Sequence, residues 1–73
     1  HQYFSFKLAA VRNLYLSKFL KDHDPKGARL KEELATLFSQ AHLSCLKEDY
    51  QELAHLLYQM AEVDGRFRDL YVK

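Results

Sequence analysis

Seventy-three residues carrying a formal net charge of +1 make one domain at most, and at that size a single core rarely leaves more than about 3–5 kcal/mol of net stability without added support. A composition of 48% hydrophobic and 29% charged residues with two Gly and one Pro excludes a disordered tail, and no apolar run approaches the ~18–20 residues of a membrane-spanning helix. Cys45 is the only cysteine, so no disulfide can brace the chain internally, and oligomerisation is the support left to it.

The stretch YFSFKLAAVRNLYLSKFLK predicts a first helix over residues 3–21. Phe4, Leu8, Val11, Tyr15 and Phe19 recur at steps of three and four and make one continuous stripe, expected to face the core. Phe6, Ala9, Leu16 and Leu20 lie on roughly the opposite side. A helix apolar on two sides must be covered on two sides or by a second copy, so this helix is expected at the centre of the fold.

The segment DHDPKG ends that helix and starts the next. Asp24 before Pro25 is an N-cap carboxylate followed by proline at the first helical position, a strong start signature. Gly27 costs about 1 kcal/mol relative to Ala and predicts a loose first turn. Leu30, Leu34, Leu37, Phe38 and Ala41 then form an apolar stripe with Arg29, Lys31, Glu32 and Glu33 outward, which predicts a helix over 25–41. The short link AHLS favours a helix hairpin. Ser44 is the expected N-cap of a third helix over 45–63, with Leu46, Tyr50, Leu53, Leu57 and Met60 as its stripe and Leu56 off to one side. Asp64-Gly65 reads as its end, and Phe67, Leu70 and Tyr71 as the start of a short fourth segment from about residue 66.

The fold class is therefore all-α: a small three-helix bundle, four-helix if the last segment forms, with a hairpin packed on a central N-terminal helix. The whole chain, 1–73, reads as a single helical domain. It begins at His1 without Met and stops among Tyr71 and Val72, the pattern expected of a piece of something longer. The predicted core is Phe4, Leu8, Val11, Tyr15, Phe19, Leu30, Leu34, Leu37, Phe38, Leu46, Tyr50, Leu53, Leu57 and Met60.

Charge is unevenly spread. Residues 1–31 carry seven basic and two acidic side chains, residues 32–64 carry Lys47 against seven acids, and the tail carries Arg66, Arg68 and Lys73 against Asp69. Neighbouring solvated helix faces account for most of this, while the sharper reading is a basic surface on the first helix that meets an acidic partner.

Candidate chemistry is thin. Asp22, Asp24, Gly27 and Glu33 mimic a calcium loop, but Lys26 stands where an oxygen ligand belongs. His42, Cys45, Glu48 and His55 can be drawn as a zinc site without its usual pair of cysteines, and a packed thiol with partly exposed imidazoles explains them as well. Cys45 with a histidine lacks a third orienting group and a pocket. No enzyme, cofactor or metal is expected. The segment ELATLFSQAHLSCLKEDYQEL has the cadence of a helix-turn-helix, yet its second helix would open on Lys47, Glu48 and Asp49 and push acid at phosphates.

What remains is a protein–protein interaction module that self-associates or docks a protein partner. Its expected contact residues are Phe6, Leu16 and Leu20 on the second face of the first helix and Phe67 and Tyr71 in the tail, with Lys7, Lys18 and Lys21 at the rim. The alternative is a nucleic-acid-binding or transcription-regulatory domain that uses those lysines. No membrane contact is expected, and the lone thiol with no targeting segment fits an intracellular compartment, cytoplasmic or nuclear.

Overall fold

The computed structural model describes residues 5–71. Three α-helices follow in order: α1 (Phe6–Leu20), α2 (Pro25–Leu46) and α3 (Tyr50–Asp69), with no strand among the described residues. The all-α class is as expected. Each helix opens on a side-chain cap that accepts from a backbone N–H three residues on: Ser5 Oγ from Leu8 at 3.2 Å, Asp24 Oδ1 from Gly27 at 3.0 Å and Asp49 Oδ1 from Glu52 at 3.1 Å. The Asp24-Pro25 start is where the sequence places it. Gly27 is not a loose point, since it is buried and a Cβ there would run into the Asp24 carboxyl, with Cγ at 2.8 Å.

Two boundaries are corrected. The residues expected to link the second and third helices stay helical, and Ser44 is buried inside α2 instead of capping α3. The turn comes three residues later, at Lys47-Glu48-Asp49. Glu48 takes the left-handed conformation at φ 59°, and the Asp49 N–H returns to the Ser44 carbonyl at 2.9 Å. Nothing in the composition of the turn advertises this, because glycine usually fills such a position. At the other end α3 runs straight through Gly65 to Asp69. Gly65 does not take positive φ, so the expected fourth segment begins as the last turn of α3.

The central helix is α2, not α1. It packs against α1 on one side and α3 on the other, and the backbones of α1 and α3 do not approach within 8 Å of each other. The two seams differ in kind. Between α2 and α3 the core is Leu34 and Ala41 against Leu56, Met60 and Val63, with Leu30, Leu37, Phe38 and Leu53 packed around them. On the α1 side the buried residues are small: Ala9, Ala10 and Asn13 of α1, with Ala28 and Ala35 of α2. Asn13 belongs there because its amide donates to the Ala9 carbonyl at 2.8 Å, so no polar group is left unmet.

This alanine seam reverses the expected orientation of α1. Leu8, Val11, Tyr15 and Phe19, expected in the core, are exposed, Phe19 to 75%. Phe6 and Leu20, expected outside, are half-buried on the inner side; Phe4 lies outside the described residues. On α3 the stripe is rotated as well. Leu56, placed off to one side by the sequence, is the most buried large side chain at 2% exposure, while Leu46, Tyr50 and Leu57 are exposed. The step pattern Leu53, Leu56, Met60, Val63, Phe67 satisfies the helical period as well as the alternative did. Helix α2 selects between them. Leu30, Leu34, Leu37, Phe38, Leu53 and Met60 are at least half-buried, as expected.

The chain end is fastened to the start of α2. The Tyr71 hydroxyl donates to Asp24 Oδ2, and the Tyr71 ring lies 5.2 Å from that of Phe67. Phe67 in turn sits beneath the Lys31 ammonium, 4.1 Å from the ring centroid, a cation–π contact across the α2–α3 seam. Arg66 reaches Glu33 at 3.8 Å on the same seam, an exposed pair of small value.

The Tyr71 hydroxyl, and then the Gly27 N–H, hold the Asp24 carboxyl below its ordinary range; the carboxylate, and to a smaller degree burial, holds the Tyr71 phenol above its own. A lowered carboxyl contributes stability above its unfolded value of about 3.9 that is lost as pH falls through the folded one, and a raised phenol contributes below about 10 and is lost as pH rises. Thermal melts of the native chain and Tyr71→Phe should differ between these limits and converge at both extremes. The core assignment is checked by urea unfolding. Leu56→Ala should cost about 2–5 kcal/mol, comparable to the total stability expected at this size, while Leu46→Ala, at a site 68% exposed, should stay within about 0.5 kcal/mol.

Candidate functional site

Because α1 and α3 flank α2 without meeting, a groove of about 480 Å³ opens between them. Its floor is Lys31, Leu34 and Phe38 of α2. Arg12, Asn13 and Leu16 form the α1 wall, and Leu57, Met60, Ala61 and Asp64 the α3 wall. At 100° per residue Leu8, Tyr15 and Phe19 follow Leu16 and Arg12 around to the same side of α1, and Tyr15, Leu16 and Phe19 share a shallow surface there. On α3, Tyr50 and Ala54 fall beside Leu57 and Ala61 by the same period. Several exposed large apolar residues of both outer helices thus turn toward the open side, while Val11 and Leu14 line a cavity on the other face of α1.

Sequence reasoning named a different set. Of its expected contacts only Leu16 lines this groove, at 38% exposure. Phe6 packs against the core and lies 6.2 Å from the Phe38 ring, and Leu20 is half-buried at the inner end of α1. Phe67 is occupied by Lys31, and Tyr71 by Asp24. Lys7, Lys18 and Lys21 are exposed. Lys18 and Lys21 gather with Arg29 and Glu32 about a cavity between the end of α1 and the start of α2, away from the groove; Lys7 is at the far end of α1. These eight residues do not form one patch. Leu8, Tyr15, Phe19, Tyr50 and Leu57, read as core, are what the open side presents. Their signal in the sequence is indirect: small residues at Ala9, Ala10, Asn13 and Ser17 supply a rival inward stripe.

The groove carries few charges. Asp64 is bound to Arg68 at 2.9 Å on the surface of α3, and Arg12 has no ion pair among the described residues. His42, Cys45, Glu48 and His55 do not converge, and among the described residues no three His, Cys, Asp or Glu side chains cluster as metal ligands do. Asp24, the centre of the calcium-loop resemblance, is engaged by Gly27 and Tyr71. No helix among the described residues is long and apolar enough to cross a membrane.

A family model described as the YobF C-terminal domain matches residues 1–71. The chain belongs to that family. No curated protein and no solved structure matches it. The family covers all three helices and both walls of the groove, so the open layer described here is the domain itself and not an appendage to it.

Proposed function

We propose that this domain is a protein-docking module that takes a helical partner on the open side of its helix layer. The observation that carries the reading is that Leu16 of α1 and Leu57 of α3 line the same groove, with exposed Tyr15 and Phe19 sharing a surface with Leu16 and exposed Leu8 and Tyr50 following them by the helical period. Scattered surface leucines need no explanation, but a contiguous apolar face flanking a groove does. Five of the nine buried hydrophobic residues are alanines, so the chain buries little large apolar surface alone and leaves its aromatic and leucine side chains for contact with something else. Aromatic anchors with polar residues at the rim are what docking surfaces are made of, and a helix laid in a groove is a common way to cover one.

The nucleic-acid alternative rests on Lys18, Lys21 and Arg29 about their shared cavity. Glu32 lines the same cavity, and the acidic run through α3 opposes a polyanion, so the apolar face is the reading kept.

Two leucines separate the docking reading from mere surface stickiness. Leu57 lines the groove at 45% exposure, and Leu43 is comparably exposed at 53% on α2 away from it. The native chain should show either a solution mass above that of the 8.6 kDa monomer or enhanced fluorescence of an apolar anilinonaphthalene dye. Leu57→Glu should abolish that signal and Leu43→Glu should leave it. A monomer that binds no dye overturns the docking reading, and so does an equal effect of the two variants.

A further inference from the structure

We propose that the partner is a second copy of this chain, placed by a two-fold axis along the groove so that α1 of each copy packs on α3 of the other. This rests on the docking reading above. The first support is charge. On the two walls of the groove the charged residue of α1 is Arg12 and that of α3 is Asp64. Within one chain these complementary walls lie on either side of α2, and their helices do not pack together. A second copy brings them together. Pairing α1 with α1 would instead bring Arg12 toward its own copy, which costs free energy at close range.

Shape agrees with charge. On its open side α1 carries the large side chains of Leu8, Tyr15 and Phe19, whereas on α3 the alanines Ala54 and Ala61 alternate with Tyr50 and Leu57. Bulky ridges on one helix meet low ground on the other, the condition for ridges-into-grooves packing.

Symmetry supplies the third argument. Both rows face the same side of the layer, so a single two-fold operation satisfies α1 on α3 and α3 on α1 at once and closes the assembly. A head-to-tail use of the same surfaces would leave one row free at each end and propagate. In the closed arrangement Arg12, the charged residue of the α1 wall, comes opposite Asp64, the charged residue of the α3 wall. Asp64 can turn to it from Arg68, since that exposed pair holds it only weakly.

The test is a charge exchange between chains, read by sedimentation equilibrium over a concentration series, with circular dichroism to show that each variant is folded. The native chain should dimerise. Arg12→Glu alone and Asp64→Arg alone each place like charges at both α1–α3 contacts and should weaken the dimer at least about tenfold. An equimolar mixture of the two variants should recover native association, because both contacts of the mixed dimer are again complementary. A native dimer whose variants are unaffected, or do not recover on mixing, overturns the α1–α3 arrangement. A native chain that stays monomeric overturns the second copy as partner; if that monomer still binds dye in a manner lost in Leu57→Glu, the docking reading itself survives.

Discussion

Alanines at Ala9, Ala10, Ala28 and Ala35 let α1 and α2 approach closely, and most of what is unusual in this domain follows from that seam. Small side chains give close backbone packing but bury little apolar area per residue, at roughly 25 cal/mol for each Å² removed from water. The seam between α2 and α3 is built of larger residues, Leu34, Leu56, Met60 and Val63, and supplies most of the hydrophobic stabilisation. The domain is thus a firm antiparallel hairpin with a third helix laid along one side. Placing the small face of α1 inward necessarily places its large face outward.

The parts of this arrangement legible in the sequence are the local ones. Asp24-Pro25 marks a helix start because capping and proline chemistry act within a few residues and need no tertiary context. The rotation of each helix about its axis is different. In α1 the stripes Leu8-Val11-Tyr15-Phe19 and Phe6-Ala9-Asn13-Leu20 are both helical in period, and side-chain size favours the wrong one. Only the presence of Ala28 and Ala35, seven residues apart on the neighbouring helix, selects the other. The displaced turn has a related cause. Ser44 is a good cap, but so is Asp49 with Glu52 three residues on, and the second wins because residues 41–45 are held helical by burial of Ala41 and Ser44 against α3. Gly65 shows the converse, a residue of turn chemistry carried through a helix by Val63 and Phe67 packing on either side of it.

The candidate site was hidden for the same reason. An exposed apolar face cannot be told from a core face by periodicity, since both have the period of the helix. Its charges were more legible. The basic first third and the acidic middle of the chain are plain in the sequence, but whether they meet inside one chain depends on which helix is central. With α2 between them, α1 and the acidic part of α3 are held apart, and their complementarity is turned outward. The polar contacts that do close the molecule, Tyr71 to Asp24 and Lys31 over Phe67, join α3 to α2 and leave α1 out.

Helix α1 is therefore held by packing and not by charge. Among the described residues it has no ion pair to α2 or α3, its seam is alanine, and Leu8, Tyr15 and Phe19 face water while Phe6 packs on the core. On the proposed arrangement a second copy would cover the face that the seam leaves bare, so association would stabilise the folded chain and link its folding to protein concentration by mass action. The opposite design, with Leu8, Tyr15 and Phe19 turned in against α2, would make a sturdier monomer with nothing apolar left to offer. On that proposal the alanine seam and the docking face would be the same feature, seen from the two sides of one helix.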